Sequence, residues 1–383
     1  MPKPAKIAIV IPKYGTVGGG EGFARYLTNE IAQYDEFDLH VLANQWRADN
    51  DNITFHKIPI IHFPKWCTTV SFAYFVKRHL NRTKYDLVHT HERIFSANVF
   101  SAHSIPHAIW IRNVRHKSLP SLFDWATMWV ERRMYANDNL QFVLPVSSLS
   151  DTLIRNSFEL SNKQVKILPP GIDLRRFKRD KISSHISIHK QFGLSSSIIC
   201  VLFVGMNFEL KGLRELIEAV AMVRSPALRK RIKIIVAGRG NNNKFLRIAE
   251  EAGIGEHLVF IGVRNDMENV YRECDFSVLL SSFDTFGMVV AESMASSKPV
   301  IVSENVGAQD IITQGINGFI CSKNAICDIR DRIETLCDAQ IREKMGQEAE
   351  KSVQKLSWGK LASQMVKIYR ESIMSNRKNH VNA

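Results

Sequence analysis

The stretch FSVLLSSFDTFGMVVAESMASSKPVIVS, residues 276–303, contains one complete strand–helix–strand unit. FSVLLSS (276–282) is a short apolar run, which suits a strand buried on both faces of a sheet. GMVVAESMAS (287–296) follows a glycine and is long enough for two helical turns. PVIVS (299–303) is a second apolar run, so the two strands must be parallel and joined by a helix. The same alternation extends outward from this unit. SIICVLFVG (197–205), GLRELIEAVAMV (212–223), RIKIIVAG (231–238), FLRIAEEAG (245–253), HLVFIG (257–262) and MENVYREC (267–274) precede it. Towards the N-terminus the pattern repeats with KIAIVI (6–11), GFARYLTNEIAQY (22–34), FDLHVLA (37–43), YDLVHTH (85–91), a helical stretch near 93–102, FVLPVS (142–147), SDTLIRNSF (150–158) and VKILPP (165–170). Between the two series lies a polar, basic, Ser-rich segment at 174–190, as expected at a domain boundary. The reading is α/β: two doubly wound Rossmann-like domains facing a cleft. Residues 1–170 form the first domain and residues 171–356 the second, and a final helix over 357–383 packs back on the first.

Composition narrows the function classes. The 383 residues are 45% hydrophobic and 23% charged, enough apolar mass for two cores. Six cysteines form no CxxC pair and no Cys/His cluster of zinc spacing, so a reduced compartment is expected. The first apolar run ends at Pro12, too short for a signal peptide, and no stretch approaches the ~20 apolar residues of a membrane span. A soluble, cytoplasmic protein is expected. The net charge is +13, and between residues 65 and 135 eleven Lys and Arg face only four Asp and Glu. That segment is interleaved with Trp66, Phe72, Tyr74, Phe75, Trp110, Trp125 and Trp129. It suits an amphipathic surface on anionic lipid, the alternative being that the aromatics pack the first core. No nucleic-acid module accompanies the charge, so nucleic acid is not an expected partner.

Three places could carry chemistry. Gly18, Gly19 and Gly20 follow the first strand and precede a helix, whose free N–H groups and positive dipole end suit an anion. Lys211, in LFVGMNFELKG (202–212), follows a buried strand, where an ammonium can neutralise phosphate. Asp284 lies in the loop after 276–282, and Glu292 sits within the apolar GMVVAESMA. A carboxylate in such surroundings is costly unless hydrogen-bonded, and a ribose diol can supply both donors. The amides of Gly287, Met288 and Val289 offer a diphosphate a helix N-terminus.

Asp284-Thr-Phe-Gly287 followed by Glu292 resembles the acidic–x7–acidic motif of the retaining nucleotide-sugar glycosyltransferases with the GT-B fold, family four or group 1. The spacing from Gly205 to Lys211-Gly212, ILPPGID (167–173) leading to Phe177, and VGAQDIITQGINGFI (306–320) resemble the same family in the same order. Within it the chain is most similar to the lipopolysaccharide core glucosyltransferases. The resemblance implies that Glu292 holds the ribose hydroxyls and that Lys211 stabilises the leaving diphosphate. It implies that Asp284, with the backbone of Phe286 and Gly287, binds the donor sugar. Gly19 and Gly20 would approach the donor from the other domain, and Gly205, Val263 and Arg264 would line the nucleotide site. His103 would lie near the reacting carbon. A catalytic set of Lys211, Asp284 and His103, with no metal and no cofactor, is therefore expected. So is transfer of a hexose from UDP-glucose or a similar UDP-sugar to a lipopolysaccharide-core or other cell-envelope glycan or glycolipid, on the inner face of the cytoplasmic membrane. The runner-up is a non-catalytic nucleotide-sugar or polyanion binder of the same fold. Two departures stand out: Asp284 replaces the usual Glu, and the Arg that normally precedes Lys211 is missing, with Arg175, Arg176 and Arg239 as candidate replacements.

Overall fold

A computed structural model describes residues 3–15, 19–47, 50–178 and 187–381. The chain divides into two units. One comprises residues 1–171 and 358–383, the other residues 172–357. Thr16, Val17 and Gly18, and residues 179–186 of the polar segment, lie outside the described residues.

The first unit is built on a seven-stranded sheet in the order Ile53–Lys57, Phe37–Ala43, Ala5–Val10, Leu87–Thr90, Val99–Ala102, Phe142–Pro145, Gln164–Val165. Every pairing is parallel. The second has six parallel strands in the order Leu258–Gly262, Ile232–Gly238, Ile199–Gly205, Phe276–Leu279, Val300–Ser303, Gly318–Cys321. In both sheets the first strand is central, and the chain winds outward one way and then the other. This creates a switch point between Ala5–Val10 and Leu87–Thr90, and another between Ile199–Gly205 and Phe276–Leu279. Loops leaving the carboxyl ends of those strands diverge and leave a crevice for a ligand.

The strands read as continuous apolar runs because helices cover both faces. In the first unit Ile7, Ile9, Leu39 and Val41 are packed beneath Phe23, Leu27 and Ile31 of the helix Gly19–Ile31. Leu361, Met365, Tyr369 and Ile373 of the last helix, Trp358–Val381, close the same layer. In the second unit Val201, Phe203, Ile234 and Val278 pack against Leu213, Leu216 and Val220 of Leu213–Ala221 and against Ile329 and Ile333.

The helical stretch expected near 93–102 is not formed. Residues 93–98 are irregular, and Val99–Ala102 is a fully buried strand. Asn98 accepts the Val88 N–H through its side chain at 2.8 Å and donates its own N–H to Val88 O, which seats the new strand beside Leu87–Thr90. Long-range pairing of four buried residues outweighs a weak local preference. Gly19 and Gly20 do not precede a helix either; they form its first turn.

Candidate functional site

In the second unit the strand Ile199–Gly205 ends at a short turn. Asn207 caps the turn Phe208–Lys211 by accepting the Leu210 N–H at 3.1 Å. The chain then reverses at Gly212, with φ +82°, where an added Cβ would lie 2.1 Å from Leu280 O. Only glycine fits there. This contact locks the Lys211 loop onto the end of the neighbouring strand Phe276–Leu279, across the switch point. The Lys211 stem lies over Gly205, and its Nζ bonds Asp284 Oδ2. Both side chains are mostly but not wholly covered.

Asp284 is fixed by its backbone: its N–H donates to Asn305 O at 2.9 Å, and its carbonyl accepts from Gly307 N at 3.0 Å. Gly287, at φ +88°, is the residue before the helix Met288–Ala295. A Cβ there would meet Val306 Cγ1 at 2.9 Å. No side chain caps this helix. The Met288 and Val289 amides therefore keep the unsatisfied donors of a helix start. The apparatus expected from the sequence is thus gathered at one carboxyl edge: an ammonium, a carboxylate and a bare helix N-terminus.

Glu292 lies one turn further in. Its Oε2 accepts from the Tyr271 hydroxyl at 2.9 Å, and Oε1 takes no hydrogen bond among the described residues. Burial pushes its pKa up, against a lowering pull from the Tyr271 hydrogen bond and Arg176. A carboxylate with one oxygen held and one open is suited to accept hydroxyl donors. The ionised form is the acceptor, so if Glu292 serves a nucleotide-sugar, donor KM should rise as pH falls through its raised pKa. Glu292→Gln should raise donor KM roughly tenfold or more, the scale of a charged hydrogen bond, and abolish that pH dependence. An unchanged donor KM in a folded variant would remove Glu292 from the site.

The remaining residues expected in the nucleotide site follow strands that end at the same edge. Val263, well exposed, and Arg264 follow the strand Leu258–Gly262. Arg264 is tied to Asp266 by two bonds, Nε–Oδ1 at 2.8 Å and Nη2–Oδ2 at 2.7 Å. Of the three candidate arginines, Arg176 is committed to Glu268 Oε2 and Asn265 O. Arg239 sits beside the Lys211 support, its N–H donating to Gly205 O at 3.2 Å. Arg175 lies elsewhere, near Gln347 and Gln354. Sequence reasoning missed Tyr271 and Lys323. The latter's Nζ contacts Glu215 at 3.0 Å and Ser282 Oγ. Neither had a motif to announce it.

In the first unit the carboxyl ends of Leu87–Thr90 and Val99–Ala102 bring histidines together. His91 Nδ1 and His103 Nε2 are 2.8 Å apart, with rings parallel to within 4°. His89 is held by Tyr369 Oη at 2.7 Å and Ser101 Oγ at 2.9 Å, and its ring lies 4.3 Å from His91. Burial keeps all three neutral, lowering His103 to about 4 and His89 to about 3. A Cβ on Gly20 would touch the His103 ring at 3.5 Å, so the glycine-started helix and His103 share one edge. His89 and His91 alternate along the chain at strand spacing; their partnership with His103 comes from the fold.

Two family models match the chain in succession: "Glycosyltransferase Family 4" over residues 17–176 and "Glycosyl transferases group 1" over residues 185–352. Among curated proteins, the N-acetyl-alpha-D-glucosaminyl L-malate synthase of Bacillus anthracis is 23% identical over 98% of this chain and all of its own length. Among solved structures, WaaG, a glycosyltransferase involved in lipopolysaccharide biosynthesis, superposes with a TM-score of 0.77 at 18% identity, covering 95% of this chain and 99% of WaaG. Anabaena Alr3699/HepE, solved with UDP and glucose, gives 0.71 at 18% identity over 96% of this chain and all of that one.

Proposed function

The chain is a glycosyltransferase with the GT-B fold of group 1 and family 4, and we propose that it transfers a hexose, with retention, from a UDP-sugar to a cell-envelope glycan or glycolipid. The observation that carries this reading is the convergence of Lys211, the free amides after Gly287 and the half-engaged Glu292 on one switch point. Glu292 would take the ribose hydroxyls, while Lys211 and the amides would take the diphosphate. Asp284 would turn to the sugar hydroxyls once the diphosphate draws Lys211 away. The bond from the anomeric carbon to the diphosphate oxygen breaks as the acceptor oxygen bonds the same face. A departing diphosphate oxygen takes the acceptor's proton. Lys211 and the helix N-terminus supply the positive charge, so the proposed reaction needs no divalent metal. The HepE structure with UDP and glucose supports the donor class by analogy. Donor hydrolysis tests the reading: slow release of UDP from UDP-glucose in the presence of EDTA supports it. Its absence with every UDP-, GDP- and ADP-sugar would favour a binding protein.

We further propose that the first unit docks on anionic lipid. Among the described residues no helix is long and apolar enough to cross a membrane. The helices Cys67–Arg82 and Leu122–Tyr135 pack together. Around their N-terminal ends Phe63, Trp66, Leu119, Leu122 and Trp125 are exposed, Phe63 at 89% and Leu119 at 81%. Phe72, by contrast, is core. Lys65, Arg112 and Lys117, near these groups along the chain, are exposed as well. Each cation at an anionic surface contributes about 1 kcal/mol, screened by salt, and inserted aromatics add a salt-resistant part. Arg115 has a different task, since it pairs at 3.0 Å with the fully buried Asp124. Phosphatidylglycerol vesicles should therefore retain the protein and neutral vesicles should not. Arg112→Glu with Lys117→Glu should release it, with Arg115 left in place. Equal partitioning onto both vesicle types would refute the docking.

A further inference from the structure

The first unit holds a second concave site, at the opposite edge of its sheet from His91 and His103. The helices Cys67–Arg82 and Leu122–Tyr135 lead into the starts of Leu87–Thr90 and Phe142–Pro145, and between their C-terminal halves opens a cavity of about 970 Å³. Its volume is at the upper end of the range for small-molecule sites, about 300–1,000 Å³. Four cations line it, Lys77, Arg78, Arg82 and Arg133, against one acid, Asp138. None of the four has an ion-pair partner among the described residues. Cations do collect at helix C-termini, where they offset the dipole. That accounts for Arg82 and Arg133 but not for Lys77 and Arg78, which stand a turn earlier on the same wall.

The rest of the lining is not that of a bare anion patch. Trp129 stands edge-on to Phe95, 5.3 Å between centroids, and the Arg133 guanidinium lies 4.6 Å over the Trp129 ring. Trp129 remains 44% exposed. Asn137 is pinned in the floor by donating to Phe95 O at 3.1 Å and accepting the Asn139 N–H at 2.9 Å. A half-exposed indole beside a guanidinium suits the C–H face of a pyranose that carries an anion. Amides suit its hydroxyls, and clustered guanidinium groups bind phosphate in a bidentate way.

We infer that this cavity is an exosite for a phosphorylated sugar, carried as a distal unit of the acceptor while the reacting hydroxyl sits at the far edge of the sheet. The inference rests on the transferase reading for its use of the word acceptor. The site itself stands on the cations, the indole and the amides.

Titration calorimetry on the full chain, with excess UDP to fill the donor site, compares glucose 6-phosphate, inorganic phosphate and glucose as probes. Glucose 6-phosphate should bind more tightly than phosphate, and glucose should not bind measurably. Arg78→Gln and Arg133→Gln, both at exposed positions, should each weaken glucose 6-phosphate binding by roughly tenfold or more, the worth of a charge-assisted hydrogen bond. Trp129→Ala should weaken glucose 6-phosphate but not phosphate. Equal affinity for phosphate and glucose 6-phosphate would overturn the inference, as would binding indifferent to both arginine variants. Capture by phosphatidylglycerol vesicles through Arg78 and Arg133, with no binding of glucose 6-phosphate, would identify a lipid headgroup site and overturn it equally. UDP-glucose hydrolysis by the same unsubstituted protein reports separately on the transferase reading. Hydrolysis with no sugar-phosphate binding removes the exosite alone; binding with no hydrolysis of any UDP-, GDP- or ADP-sugar counts against the transferase reading alone.

Discussion

Lys211→Ala should lower kcat by about 10²–10³, the scale for losing one preorganised electrostatic donor at a developing charge. The structure adds a reason to expect the upper part of that range. Lys211 Nζ is the partner of Asp284, and both are largely covered. Truncating the lysine leaves a carboxylate facing the diphosphate with no counter-charge, so repulsion is added to lost attraction. Lys211→Ala combined with Asp284→Asn should therefore be less than additive, recovering part of the rate lost in the single variant. Steady-state and single-turnover rates with UDP-glucose would separate this loss of chemistry from a change in donor KM. The parent enzyme should keep full activity in EDTA. A Lys211→Ala enzyme with near-parental kcat would remove the lysine from the leaving-group site.

Glu131→Ala should destabilise the first unit by about 3–5 kcal/mol, the cost of breaking one partner from a buried ion pair. Glu131 is only 4% exposed. Its Oε1 accepts from Arg93 Nε at 2.8 Å, and its Oε2 accepts the His107 N–H at 2.9 Å. Arg93 also donates to Ile105 O at 3.1 Å and to Glu92 Oε1 at 3.2 Å. The cluster therefore fastens the chain just beyond His103 to the helix Leu122–Tyr135. Removing Glu131 takes one of two carboxylates from the covered Arg93 guanidinium, leaving it Glu92, and orphans the His107 N–H, which explains a cost well above that of a surface pair. Denaturant unfolding followed by tryptophan emission would measure it. A loss below about 1 kcal/mol would mean that water reaches Arg93. Because the cluster acts on the His103 loop, the variant at sub-denaturing temperature should also lose donor hydrolysis more than it loses UDP affinity.

Much of the architecture was legible in the chain because parallel strands buried on both faces must be short continuous apolar runs. Helical spacing between such runs leaves few folds other than doubly wound sheets. The edge that gathers Lys211, Asp284 and Glu292 was legible for the same reason. Lys211 and Asp284 follow such runs, and Glu292 interrupts an apolar helix where only a partner could justify it. These are local facts, set within ten or so residues.

What the tertiary structure decided depends on groups far apart in sequence. Strand order, and with it the two switch points, follows from which runs pair across 32 to 80 residues, as Ala5 with Phe37 and Ile7 with Leu87 do. The pairing of Val99–Ala102 between Leu87–Thr90 and Phe142–Pro145 overrode a local helical reading. Tyr271 reaches Glu292 and His91 reaches His103 only because neighbouring elements end at the same edge. No spacing rule encodes that. The basic-aromatic segment shows the limit most clearly: Phe72 and Trp66 belong to one run of sequence, yet one is core and the other surface. Helical periodicity says that two faces exist, but which face meets water is decided by the sheet the helix packs on.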